Sequence, residues 1–128
     1  MKKLEIQNQL KDKGIKNQLL LDAFENIPTT FFLSKELYPY SFENTTMKEE
    51  LIKVEPRIFA VAKMLENLKI QKNDKILAIG LDSVYVMTIL SRICKEVYTI
   101  EANEAYAEWA LEVLRNINIT NVFIAVGD

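Results

Sequence analysis

The chain has 128 residues, with 16 basic and 18 acidic side chains, a net charge of −2 and no histidine. This length supports one domain with a modest hydrophobic core. The near balance of charge argues against nucleic acid as a partner, since neutralising phosphates requires a surplus of Lys and Arg. Without histidine the chain lacks the commonest general base and the commonest metal ligand, and we expect no metal site.

No apolar run approaches the roughly 20 residues that a membrane helix requires. The N-terminus leads into a charged amphipathic stretch, unlike the apolar core of a signal peptide. We therefore expect a cytoplasmic protein with no membrane partner.

The first region, residues 1–54, is predicted to be helical and then irregular. An amphipathic helix near the N-terminus can end at Gly14 in a left-handed cap. A second helix is predicted over residues 17–27, where Pro28 stops it. Residues 29–53 carry aromatic side chains without a clear period, which favours a packed, mostly irregular segment.

The second region, residues 55–128, alternates helices and apolar strands within the same single domain. Pro56 suits the first turn of a helix, and an apolar side is predicted for that helix from Phe59, Ala62, Met64, Leu65 and Leu68. Strands are predicted over 75–80, 97–101 and 122–126, and helices over 83–94 and 104–116. This alternation predicts an α/β fold with a parallel sheet and right-handed crossovers. Because the strands are almost continuously apolar, we expect helices to cover both faces of the sheet.

Three features follow the predicted strands, at the edge where open α/β sheets bind ligands. They are the turn Gly80–Tyr85, Glu101 about twenty residues later, and Gly127-Asp128. An acid at the position of Glu101 is typical of hydrogen bonding to ribose hydroxyls, although a single acid at a strand end more often caps a helix or is solvated. In this order, the three features indicate a nucleoside-containing cofactor site or its remains.

Several segments, in this order, resemble the protein-L-isoaspartate O-methyltransferase family. They are Ile27-Pro28-Thr29-Thr30-Phe31-Phe32, Ile76-Leu77-Ala78-Ile79-Gly80 with Ser83 and Tyr85, Val97-Tyr98-Thr99-Ile100-Glu101, and Gly127-Asp128. The resemblance implies a Rossmann-like methyltransferase fold, here its N-terminal part with three parallel strands in the order 3-2-1. It also implies S-adenosylmethionine as the cofactor, methyl transfer to isoaspartyl carboxylates in protein repair, and a cofactor site made by Gly80, Ser83, Tyr85, Glu101 and Asp128.

The same resemblance exposes departures from the family pattern. The family's loop reads Glu-Ile-Gly-Thr-Gly-Ser-Gly-Tyr, and here Asp82 and Val84 replace two of its glycines while Ala78 replaces the acid. Glycine serves in such loops to reach unusual backbone angles and to let the backbone approach the ligand. Val54 stands where the family has a serine near the transferred methyl group, so we assign no catalytic residue. We expect the isolated chain to be inactive, as a truncated pseudoenzyme.

Three functional interpretations stay open at this point. The chain is an isoaspartyl methyltransferase completed by further polypeptide, a non-catalytic domain for dimerisation or interaction, or a gene fragment without a selected function. In the family fold the first strand is central, so three strands in the order 3-2-1 leave residues 75–79 as an exposed edge. We expect that edge to be covered by a second copy, which would form a six-stranded sheet, or by a partner that supplies the rest of the fold.

Overall fold

The structure is a computed structural model that describes residues 3–25, 56–80 and 84–128. Contacts divide the chain into two units, Met1–Ile70 and Gln71–Asp128. The predicted stop at Pro28 and the predicted irregular segment lie outside the described residues. In the described part of the chain, no helix is long and apolar enough to cross a membrane. The helices and strands are α1 (Lys3–Asp12), α2 (Gln18–Glu25), α3 (Pro56–Leu68), β1 (Lys75–Ile79), α4 (Val84–Ile93), β2 (Glu96–Glu101), α5 (Glu104–Asn116) and β3 (Val122–Val126).

A glycine cap ends α1 in the first unit. Gly14 has a φ angle of +101°, and its N–H donates to the carbonyl of Lys11 at 3.0 Å. The N–H of Ile15 donates to the carbonyl of Leu10 at the same distance. The predicted left-handed cap at Gly14 is confirmed, because only glycine adopts this backbone angle without a steric cost.

Glu66 of α3 binds the start of α2. One of its carboxylate oxygens accepts hydrogen bonds from the N–H groups of Lys16 at 2.6 Å and Asn17 at 2.8 Å. The side chain of Asn17 in turn accepts from the N–H of Leu20 at 3.1 Å, which caps α2. The backbone N–H groups of Asn17 and Lys16 favour the ionised carboxylate and lower the pKa of Glu66 below its ordinary value of 4.5.

The apolar side predicted for α3 is only partly buried. Ala62 is buried, whereas Met64 and Leu68 are 65% and 68% exposed. The prediction that Met64 and Leu68 lie on the same packed side was wrong for a geometric reason. Successive helical residues turn by about 100°, so Met64 points about 200° away from Ala62, and Leu68 lies one turn beyond Met64 on the exposed side.

The second unit contains a three-stranded parallel sheet with β2 in the centre. Each strand pairs in register, with Leu77 of β1 opposite Tyr98 of β2 and Tyr98 opposite Phe123 of β3. The strand order β1-β2-β3 confirms the predicted order 3-2-1. Val97 and Thr99 of the central strand are almost completely buried, so the core of this unit is built on one face of β2.

Only one face of the sheet is covered by described helices, so the expectation of cover on both faces was wrong for this part of the chain. Helix α5 lies on the side of Ile124, where Ala107 and Leu111 line the same hollow as Ile124. The chain passes from β1 to β2 through α4 and from β2 to β3 through α5, so both crossovers run across the sheet in the same direction. Two right-handed crossovers in the same direction place their helices on the same face of the sheet. The other face, here called the open face, carries Leu77, Ile79, Tyr98, Ile100, Phe123 and Ala125, all of which are exposed.

Replacing Glu66 with glutamine should destabilise the chain by about 1 kcal/mol at pH 7, because a charged acceptor of two backbone N–H groups is lost. The pKa of Glu66 is lowered in the folded state, so its stabilising effect is present above pH 4.5 and is lost as the pH falls through the folded-state value. Urea unfolding followed by circular dichroism at pH 7 and pH 3 tests this. The difference in the free energy of unfolding between wild type and Glu66→Gln should be smaller at pH 3 than at pH 7. Glu112→Gln, the same substitution at an exposed position, is the matched control.

Candidate functional site

The candidate site lies along the carboxyl ends of the three strands. Gly80 follows β1, Glu101 ends β2, and Gly127 follows β3. The N–H of Gly80 donates to the carbonyl of Ile100 at 3.0 Å, and the N–H of Gly127 donates to the carbonyl of Glu101 at 3.0 Å. These two bonds extend the sheet pairing by one residue. They bring Gly80, Glu101 and Gly127 into one row, as the sequence predicted from their positions after the strands.

Gly80 meets the backbone requirement expected of a ligand-binding turn. Its φ angle is +81°, in the region where side chains other than glycine are strained. A Cβ atom added to Gly80 would meet no heavy atom within 4 Å. The backbone at this position therefore faces open space, and glycine is required here by its conformation rather than by crowding.

Glu101 is held beside the start of α5. One of its carboxylate oxygens accepts a hydrogen bond from the N–H of Asn103 at 2.9 Å. Asn103 is the N-cap of α5, and its side-chain oxygen accepts from the N–H of Tyr106 at 3.0 Å. Glu101 thus lies at the strand end where an acid can bind a ribose. It also has the simpler role that the sequence left open, because it accepts a hydrogen bond at the start of the next helix.

Asn103 is a positioning residue that the sequence interpretation missed. Its N–H fixes the carboxylate of Glu101, and its side chain starts the helix that follows. The signal was present, because Asn directly before an acidic first turn is a typical N-cap.

Ser83 and Tyr85 were predicted to lie in the turn after β1, and the structure treats them differently. Ser83 lies outside the described residues. Tyr85 is fully buried, and this burial raises the pKa of its hydroxyl well above the ordinary value of 10. The structure therefore gives Tyr85 a place in the hydrophobic core, and its proposed contact with a cofactor stays a prediction.

Val84 occupies the position where the family pattern has a glycine. It is the first residue of α4 and is buried at 1% exposure. Its backbone is helical, so the strain that a valine would suffer at a positive φ angle is absent here. The chain accommodates the substitution by beginning the helix at Val84.

Asp128 is exposed and follows Gly127 at the end of β3. Among the described residues, the carboxyl edge carries the acidic side chains of Glu101 and Asp128, beside the open space at Gly80. No cluster of three or more His, Cys, Asp or Glu residues in the described ranges could hold a metal ion. The chemistry available from the described residues is hydrogen-bond acceptance by carboxylates, which suits hydroxyl and amine groups of a ligand.

Comparison with known proteins assigns the family. The family model for protein-L-isoaspartate(D-aspartate) O-methyltransferase matches residues 1–128. The chain belongs to this family. It is 36% identical over 119 residues to the protein-L-isoaspartate O-methyltransferase of Dictyoglomus thermophilum, covering 93% of this chain and 54% of that protein. The enzyme of the same name from a Bradyrhizobium species is 34% identical over 126 residues, covering 98% of this chain and 59% of that protein.

Solved structures show the same fold. A protein-L-isoaspartate O-methyltransferase superposes with a TM-score of 0.72 at 21% identity, covering 98% of this chain and 42% of that one. A coclaurine N-methyltransferase bound to N-methylheliamine and SAH superposes with a TM-score of 0.55 at 19% identity, covering 98% and 43%. The Rossmann-like methyltransferase fold is thereby confirmed. The chain spans little more than half the length of the curated relatives it matches.

Changing Gly80 to alanine should destabilise the second unit by about 1 kcal/mol, because alanine is strained at a φ angle of +81°. Gly127→Ala is the matched control, since a Cβ there meets only the side chain of Ile100 at an ordinary 3.8 Å. Trp109 of α5 is the single tryptophan, so its fluorescence during urea unfolding reports on this unit. Equal stability of the two variants would contradict the requirement for glycine at position 80.

Proposed function

We propose that the chain supplies the S-adenosylmethionine-binding part of a protein-L-isoaspartate O-methyltransferase that acts in protein repair in the cytoplasm. The observation that carries the proposal is the position of Glu101 at the end of the central strand, next to Gly80, in a chain whose whole length matches this family. In open α/β sheets an acid at this position binds the hydroxyl groups of a ribose. The family match does not favour the alternative of a non-catalytic domain.

The residues of the carboxyl edge fit the nucleoside part of such a cofactor. The carboxylate of Glu101 can accept hydrogen bonds from two hydroxyl groups, and its bond from Asn103 holds it in place. The open space at Gly80 lets a ligand approach the backbone closely. When bound, S-adenosylmethionine supplies an electrophilic methyl group on a positively charged sulfonium, whose charge is compatible with the acidic side chains of Glu101 and Asp128.

The described residues fit the cofactor less well next to the turn after β1. Val84 is buried in the first turn of α4, so it does not provide the glycine backbone that the family places near the cofactor. A loop without that glycine approaches a ligand less closely and forms fewer backbone contacts with it. We infer that this chain binds the cofactor chiefly through the end of β2, with reduced affinity.

Methyl transfer by the 128-residue chain alone is a separate question. Transfer requires the donor and the acceptor to be held in line in a site closed to water. The relatives that carry the family name are nearly twice as long as the region they share with this chain. We infer that the chain by itself binds the cofactor and does not catalyse the transfer.

Calorimetric titration with S-adenosylhomocysteine tests the cofactor site. We expect a dissociation constant on the order of 100 μM for the wild type, weakened at least about tenfold in Glu101→Ala, since hydrogen bonds to a charged group are lost. Glu112→Gln, an exposed change on α5, should bind like the wild type. Thermal unfolding of Glu101→Ala separates lost affinity from lost capping. Unchanged affinity of a folded Glu101→Ala, or no binding by the wild type, would contradict the proposed site.

The second arm of the titration uses Asp82→Gly/Val84→Gly, which restores the family's two glycines. It should bind S-adenosylhomocysteine more tightly than the wild type if the turn limits affinity. Because Val84 is buried, this variant will be less stable, and its binding is measured below its own melting temperature. Weaker binding by the folded variant would show that the turn after β1 does not limit affinity.

An activity assay tests the inference about catalysis. Purified chain incubated with radiolabelled S-adenosylmethionine and an isoaspartyl peptide should transfer no label to the peptide. A full-length family relative in the same assay is the positive control. Transfer of label by the 128-residue chain would contradict the inference.

A further inference from the structure

Asn103 is bound to its neighbours through its N–H, its side chain and its carbonyl at once. Its N–H donates to a carboxylate oxygen of Glu101 at 2.9 Å, and its side-chain oxygen accepts from the N–H of Tyr106 at 3.0 Å. Its carbonyl accepts the first helical hydrogen bond of α5, from the N–H of Ala107 at 3.0 Å. The backbone of Asn103 is extended, with a φ angle of −87° and a ψ angle of 105°, as an N-cap requires. One residue therefore joins the end of β2 to the first turn of α5.

The side-chain bond of Asn103 fixes the direction of its N–H. Without a capping side chain the first turn of a helix frays, because its N–H groups have no partner within the helix. Residue 103 would then sample other backbone angles, and its N–H would leave the carboxylate of Glu101. Glu101 is only partly buried, so its side chain would return to several rotamers. A ligand that binds this carboxylate would have to order the side chain itself, at a cost in conformational entropy.

The first turn of α5 is anchored on its other side by the core. Tyr106 and Ala107 are 8% and 3% exposed, and the ring of Tyr106 stacks on that of Trp109 with the ring centroids 5.9 Å apart. The cap therefore connects Glu101 to a packed helix, which limits the positions that the N–H of Asn103 can take.

A second N-cap in the chain has the same arrangement away from the strand ends. The N–H of Asn17 donates to a carboxylate oxygen of Glu66 at 2.8 Å, and its side-chain oxygen accepts from the N–H of Leu20 at 3.1 Å. Loss of either asparagine side chain removes the same kind of cap, at a similar cost in stability. Glu66 lies on α3, outside the row of strand ends. Of the two caps, only the one at Asn103 holds a carboxylate of the candidate site.

We propose that Asn103 sets the affinity of the candidate site and couples the site to α5. Its cap keeps the carboxylate of Glu101 in one orientation, so ligand binding at Glu101 and formation of the first turn of α5 stabilise each other. Such a coupling is reciprocal, which means that the cap tightens binding and that the ligand stabilises the capped turn. The inference rests on the proposed function, because the ligand is the nucleoside part of the cofactor proposed for Glu101.

Titration with S-adenosylhomocysteine, followed by NMR chemical shifts, tests the effect on affinity. Asn103→Ala should bind about fivefold more weakly than the wild type, and Asn103→Ser, which keeps a capping oxygen, should bind within about twofold of it. Asn17→Ala is the matched control. It should lose a similar amount of stability in thermal unfolding and bind like the wild type. In the Glu101→Ala background, Asn103→Ala should cause no further loss of affinity, because Asn103 acts through that carboxylate.

Amide hydrogen exchange tests the reciprocal effect. Near-saturating S-adenosylhomocysteine should slow exchange of the Tyr106 N–H, which the cap holds, in the wild type and not in Glu101→Ala. The N–H of Leu20, which the cap at Asn17 holds, should exchange at the same rate with and without the ligand.

The outcomes separate this inference from the proposed function. A wild type that binds S-adenosylhomocysteine, together with an Asn103→Ala variant of equal affinity, would overturn the inference and leave the proposed function standing. Equal weakening by Asn17→Ala would also overturn it, because the effect would then be a general loss of stability. A wild type that does not bind would contradict the proposed function itself, and with it the role of Asn103 toward a ligand.

Discussion

Parallel pairing of β2 between β1 and β3 is the constraint on which the second unit depends. It places Val97 and Thr99 at the centre of the sheet, where both are buried. A parallel neighbour cannot be reached by a tight turn, so each step along the sheet requires a crossover, here α4 and then α5. Right-handed crossovers in one direction put both helices on one face. The buried core, the open face and the ligand edge all follow from this single pairing.

The same pairing explains why the candidate site needs so few residues. Because the strands are parallel and in register, their carboxyl ends meet at one edge, and residues far apart in sequence become neighbours. Gly80 and Glu101 are linked through the backbone of Ile100, and Glu101 and Gly127 are linked directly. The site is therefore a property of the sheet. The departure at Val84 leaves the row of strand ends intact.

The open face and the ligand edge are independent features of one sheet. Side chains at alternate positions of each strand point to opposite faces, while the ligand edge is formed where the strands end. The described part of the chain thus has a polar edge at Gly80 and Glu101 and an apolar face that carries Tyr98 and Phe123.

The sequence by itself determined the local structure of the chain. The period of apolar residues, Gly14 and the strand–helix alternation predicted the elements, and α5 and β3 begin and end at the residues expected. The order of the strand-end residues also predicted the family and the row formed by Gly80, Glu101 and Gly127. These signals are local, since caps, periodicity and turns depend on residues within a few positions of one another.

Only the tertiary structure decided what each side chain faces. The apolar strands predicted a sheet covered on both faces, yet the described helices cover only one, because the side that is covered depends on the direction in which the crossovers run. Tyr85 was expected beside a ligand, and the packing of α4 buries its side chain. The partnership of Glu101 with Asn103 likewise depends on where α5 begins in space. Burial is set by the packing of distant segments, and a pattern within one segment does not contain that information.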